Sequence, residues 1–169
     1  FGKHTVTLGG VFESKQQFSR MDYTQIEITT NDTVPCSAQG FELPMMYGAG
    51  ASYGYADKLM IGVDYMCQNW SNVQYFGSNA FLRERHRIAV GLEYRNDPYS
   101  RKYIDQIYWR IGANYATSYT YQYDQSEMGI TLGVGFPLRT VGTVINATVE
   151  YGKRGFAKDV LAENYLRLV

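Results

Sequence analysis

The chain has 169 residues with 16 basic and 16 acidic side chains, so its formal charge is zero. That balance argues against a nucleic-acid partner and against attraction to an acidic membrane surface. Glycine (17) and tyrosine (16) are abundant, yet mean hydropathy is only −0.32. No apolar run approaches the roughly 18 residues of a membrane helix, but a membrane barrel stays open, since its strands meet lipid only at alternate side chains.

The first third alternates weakly. In 3–13, Val6, Leu8 and Phe12 oppose Thr5, Thr7 and Gly9, and in 22–30, Ile26 and Ile28 oppose Gln25, Glu27 and Thr29. Residues 31–42 hold Pro35, Ser37 and Gly40 and read as a long loop. From residue 43 the rhythm is regular, with predicted strands over 43–55, 59–70, 85–95, 104–115, 127–138 and 143–152.

One parity is apolar in each. Leu59, Ile61, Val63 and Tyr65 share a side, as do Ile88, Val90, Leu92 and Tyr94. Trp109, Ile111 and Tyr115 continue the series, followed by Ile130, Leu132 and Val134, then Ile145, Val149 and Tyr151. The other parity carries glycine repeatedly, at 48, 50, 54, 62, 91, 112, 129, 133 and 135. A soluble sandwich would place long polar side chains there. Glycine in a strand calls for curvature or crowding, which the concave wall of a barrel supplies. The predicted fold is therefore all-β: an antiparallel, transmembrane, up-and-down β-barrel in one domain over 1–169, with a meander of about eight or nine strands.

Connection length sorts the same way. Loops 31–42, 71–84, 116–126 and 153–162 are expected on one rim, facing the medium. The turns 15–21, 56–58, 96–103 and 139–142 are expected on the periplasmic rim. Tyr53, Tyr55, Tyr65, Tyr94, Tyr115 and Tyr151 fall at or near strand ends, where an amphipathic ring sits at headgroup level. The chain opens Phe1-Gly2-Lys3 and closes Leu166-Arg167-Leu168-Val169 in mid-strand, so both ends read as cut from something longer.

Few residues suggest chemistry. Asp64, Arg87, Glu93, Arg95, Arg110, Asn114 and Glu150 share the lumen-facing parity. Ion pairs between neighbouring strands are the plain reading; contact of Arg87 or Arg110 with an anionic headgroup is the functional one. Neither His4 nor His86 has a nucleophile or carboxylate at a motif spacing, so no catalytic residue, no enzyme activity and no cofactor are expected. Cys36 and Cys67 lack metal-ligand spacing, and no metal site is expected. An oxidising compartment would allow one disulfide between them.

Several runs carry a family resemblance. They are Tyr47-Gly48-Ala49-Gly50-Ala51-Ser52-Tyr53, Gly62-Val63-Asp64-Tyr65 with Trp70, Gly91-Leu92-Glu93-Tyr94, Gly133-Val134-Gly135-Phe136-Pro137-Leu138 and Glu150-Tyr151-Gly152-Lys153-Arg154-Gly155. In this order they resemble the C-terminal half of a Bacteroidetes branch of the outer-membrane transport family that includes the long-chain fatty-acid transporters (FadL/TodX-like). The resemblance implies a part of a barrel of about 14 strands in the bacterial outer membrane. It further implies passive transport of small hydrophobic or amphipathic compounds. The expected partners are outer-membrane lipid and lipopolysaccharide, a hydrophobic small-molecule ligand and other outer-membrane proteins. The alternatives are a structural or secretion-associated barrel that binds partner proteins, and a soluble all-β binding domain.

Overall fold

The computed structural model describes residues 3–18, 23–26, 33–36, 42–74, 81–121, 125–138, 143–155 and 162–169. The described residues hold twelve strands: β1 (His4–Glu13), β2 (Gln16–Gln17), β3 (Tyr23–Ile26), β4 (Thr33–Cys36), β5 (Glu42–Leu43), β6 (Met45–Tyr55), β7 (Leu59–Asn69), β8 (Arg85–Tyr94), β9 (Tyr108–Ala116), β10 (Glu127–Pro137), β11 (Val144–Arg154) and β12 (Glu163–Leu168). A one-turn helix, α1 (Tyr103–Gln106), precedes β9. Eight strands make one antiparallel sheet in the order β1-β6-β7-β8-β9-β10-β11-β12. The other four form two short antiparallel pairs, β2 with β5 and β3 with β4.

The two outer strands of the sheet, β1 and β12, do not pair with each other, so the described strands form an open sheet rather than a closed barrel. Closure would need the edges to meet with a matching tilt and stagger. Of the predicted strand over 22–30, the described part is 23–26, which is not a member of the sheet; the rest lies outside the described residues. Residues 23–26 fold locally onto Thr33–Cys36, inside the segment read as a loop. β1 instead pairs directly with β6 over ten positions, from His4 opposite Tyr55 to Glu13 opposite Met46. Glu13 and Met45 therefore lie at the sheet end shared by Asn69, Arg85, Ala116, Glu127, Arg154 and Glu163, so the described residues 15–18 of the predicted turn 15–21 follow β1 on that rim rather than the opposite one.

At the short-turn rim, Ala56 and Asp57 both take positive φ (51° and 54°), as a two-residue turn between right-twisted strands requires. The connection from β8 to β9 is held by Asp105, which accepts from Asn96 Nδ2 and Ser100 Oγ, each at 2.9 Å. These bonds hold its carboxyl below the usual carboxylate range.

The sheet has one layer, and its polarity is inverted relative to a soluble protein. Along β9 the glycine-and-polar parity is consistently the less exposed, while Trp109, Ile111 and Tyr115 on the other side are open. The same holds along β6. A sheet curved towards its glycine face crowds that side and spreads the other. Rows follow the register around the apolar face, such as Val6–Tyr53–Ile61–Leu92–Ile111–Leu132–Val149–Leu168. Among the described residues the buried hydrophobic side chains are few, Cys67, Val73, Ile107 and Ala116 together with Pro44, and no second layer covers the rows. An exposed apolar face this continuous marks a surface that meets another apolar phase or partner.

Candidate functional site

Two features organise the molecule: the concave face of the sheet and the rim of long connections. On the concave face, glycines clear lanes across which side chains of non-adjacent strands meet. Arg110 on β9 donates from Nε to Glu93 Oε2 on β8 at 2.7 Å, and from Nη1 to Asn146 Oδ1 on β11 at 2.5 Å. The second bond passes over β10, where Gly133 and Gly135 lie. A Cβ on Gly135 would stand 3.0 Å from Asn146 Oδ1 and 3.1 Å from Tyr108 Cβ, so any side chain there would contest the bridge. Arg95 joins the same belt, donating to the Tyr108 hydroxyl at 2.6 Å.

Glu150 lies on this face as well. It accepts from the Tyr165 hydroxyl at 3.0 Å and pairs with Arg167 at 3.5 Å. Its neighbour Gly129 leaves space beside Asn114 and Glu150. Asp64 folds over Gly50, and with Arg87 it lines a hollow of about 580 Å³ floored by Gly9, Gly48, Gly50 and Gly62. Among the described residues, no ion pair engages Asp64 or Arg87. The parity expected for the five lumen-facing residues thus resolves into two groups. Glu93, Arg110 and Glu150 bridge strands, whereas Asp64 and Arg87 line a cavity.

The described part of the rim is tied by side-chain hydrogen bonds. Glu42 is buried and is the hub of a clasp: it receives Lys15 Nζ at 2.6 Å, Gln17 Nε2 at 2.7 Å and the Gln74 amide at 2.8 Å. Lys15 Nζ also donates to the Asn72 carbonyl at 2.9 Å. The Lys15 ammonium first, then the Gln74 amide and Gln17, pull the Glu42 carboxyl down to about 2. Sequence reading did not find this clasp, because Lys15, Glu42 and Gln74 meet only once β1 and β6 pair. Next to it, residues 81–83 and 119–121 run side by side. Arg83 N donates to the Tyr119 carbonyl and Tyr121 N to the Phe81 carbonyl, each at 2.9 Å. Phe81 and Tyr121 project from this platform into solvent, and Trp70 packs against Tyr119 at 5.6 Å between ring centres.

The two cysteines occupy different settings. Cys67 is a free, buried thiol; Cys36 lies in β4, with its side chain outside the described residues.

An all-β chain with an eight-stranded antiparallel sheet, apolar outside and bridged by polar side chains on its concave face, defines the class. The family model of BamG matches residues 6–169, and the chain belongs to the BamG family. That match corrects the resemblance to the FadL/TodX-like transporters. The quoted runs are glycine and aromatic alternations that a curved sheet with an apolar outer face imposes on unrelated sequences. No match is found among curated proteins or solved structures.

Proposed function

We propose that this chain forms wall of an outer-membrane β-barrel and serves the Bam complex as a structural partner, with no chemical step of its own. The observation that carries the reading is membership of a Bam-complex-associated family over almost the whole chain. Two features favour it over passage of small molecules. The concave face spends Glu93, Arg110, Asn146 and Glu150 on bridges between strands, which stiffens a wall instead of lining a path. At the rim the paired segments 81–83 and 119–121 carry exposed Phe81, Tyr119 and Tyr121, and aromatic side chains on a hydrogen-bonded frame suit protein contact. With the transporter resemblance overturned, passive transport loses its basis.

On this reading the apolar rows face outer-membrane lipid. The basic residues Lys153 and Arg154 lie at the rim, Arg154 pairing with Glu127 at 3.3 Å, and a contact there with lipopolysaccharide phosphates belongs to the same proposal. The test is affinity purification of the tagged protein from its own membranes in mild detergent. The central Bam barrel should co-purify in near-stoichiometric amount, and depletion of the chain should slow outer-membrane protein assembly. A preparation free of Bam components, with normal assembly and reduced uptake of hydrophobic compounds, would restore the transport reading.

A further inference from the structure

At the rim, where the chain passes from β7 into the 70–84 connection and back into β8, three side chains converge without any role in the wall. A cysteine sulfur, a carboxylate oxygen and an imidazole nitrogen, from Cys67, Glu84 and His86, lie within 4.8 Å of one another. Cys67 and His86 are direct cross-strand partners, which places their side chains on one side of the sheet. Glu84 stands just before β8 begins at Arg85, and its carboxylate reaches the same cluster.

The chemistry of the set is specific. A thiolate with an imidazole suits zinc and similarly thiophilic divalent ions, whereas magnesium and calcium sites are built from oxygen. A thiolate and a carboxylate together neutralise a divalent charge, so the buried sulfur would not carry an uncompensated charge when loaded. His86 is held as a ligand would be. Its Nδ1 and the Tyr65 hydroxyl are hydrogen-bonded at 2.8 Å, and its Nε2 stands 3.7 Å from Glu84 Oε2. A proton on Nδ1 given to the Tyr65 oxygen leaves the Nε2 lone pair facing the cluster, the arrangement by which a partner on the second nitrogen orients a metal-bound histidine. The backbone around it is fixed too: the His86 amide donates to Thr117 Oγ1 and the Thr117 amide to the His86 carbonyl, both at 2.9 Å. Cys67 is sealed from solvent while Glu84 is open to it, which gives an ion a way in.

We propose that Cys67, Glu84 and His86 bind one zinc-class divalent ion, with water or the hydroxyl of Tyr47, the cross-strand partner of Cys67 on β6, completing the shell. Such an ion would clip the two ends of the 70–84 connection to the sheet. The proposal rests on register and side-chain chemistry and stands apart from the Bam assignment.

Cobalt(II) is the probe, added to detergent-purified protein carrying Cys36→Ser, so that Cys67 is the sole thiol. One equivalent of cobalt should give a thiolate-to-cobalt charge-transfer band that zinc bleaches. The band should vanish in Cys67→Ser, and affinity should fall at least ~10-fold in His86→Ala. Tyr65→Phe, which leaves all three ligands in place, should weaken binding by about 10-fold through the lost orientation of His86. Should Cys67→Ser not fold by circular dichroism, Glu84→Gln at the exposed end provides the comparison, with weaker cobalt binding expected. Absence of the band in folded protein, or a band that survives removal of Cys67, would overturn the proposal and leave Glu84 and His86 as an ordinary surface pair.

Discussion

The Tyr165 hydroxyl shares its one proton between Glu127 Oε1 at 2.9 Å, two strands away, and Glu150 Oε1 at 3.0 Å, crossing the backbone of β11 above Gly152. A Cβ at Gly152 would overlap Cζ and the hydroxyl of Tyr165. Gly152→Ala should therefore expel the ring and destabilise the sheet by about 1–3 kcal/mol, read from the unfolding midpoint in detergent. Tyr165→Phe keeps the ring and loses the bond, for about 1 kcal/mol. In a Tyr165→Ala background, Gly152→Ala should cost little; an equal cost in both backgrounds would show that the glycine is needed for some other reason.

The Arg110 bridge makes a second prediction. Glu93 and Arg110 are in direct contact on adjacent strands, with side chains about a quarter to a third exposed. A double-mutant cycle with Glu93→Gln and Arg110→Gln should return a coupling of about 1 kcal/mol, the upper end for a partly solvated pair. Arg87, at the hollow and outside such a pair, should give a Gln variant with unchanged stability. Coupling near zero for the Glu93 pair would mean that solvent screens it fully.

Which parts of this were legible in the sequence follows from what alternation encodes. For β7 to β11, apolar residues at every second position stated which side chains face out, and the structure keeps that parity through Ile61, Leu92, Ile111 and Leu132. Alternation says nothing about partners. The alternation around Ile26 predicts a crossing strand, yet among the described residues 23–26 pairs with 33–36 and not with the sheet, and β1 pairs with β6 instead. The inward parity of Glu93, Arg110 and Glu150 was likewise readable, but the reach of Arg110 to Asn146 depends on a glycine lane in a third strand. The same limit hid Cys67 and His86, whose spacing fits no motif until β7 and β8 are aligned.

The Glu42 clasp should make the long-connection rim sensitive to acid. Unfolded, this carboxyl titrates near 4.5, and in the clasp near 2. Between those values the unfolded chain binds the proton more readily, so the clasp contributes fully above pH 4.5 and loses its contribution as pH falls towards 2. Asp105 on the opposite rim shifts in the same direction, so the assay must be local. Hydrogen exchange at the Glu42 and Gln74 amides should speed up below pH 4.5 after correction for intrinsic rates. Glu42→Gln should show the fast exchange already at pH 7 and respond much less to acid. A variant with protection equal to wild type at pH 7 would remove Glu42 as the hub.

The exposed apolar rows give the sharpest test of what surrounds the sheet. Ile111 and Leu132 are cross-strand partners in the middle of the apolar face, 51% and 58% exposed, with Tyr94 and Trp109 paired towards one end and Tyr115 with Met128 towards the other. The distance between those flanking rows, six residues along a strand, is about 20 Å, comparable to the apolar band of a membrane barrel. If lipid covers this face, Leu132→Lys should cost about 2–4 kcal/mol in bilayers, and the same change at Met128, nearer the edge, should cost about 1 kcal/mol or less. If water covered it, neither lysine would cost more than a few tenths of a kcal/mol, since Leu132 is already half-exposed. Folding titrations in lipid vesicles, with the two variants measured against wild type, read that gradient directly. A flat profile with depth would exclude lipid as the solvent of the outer face.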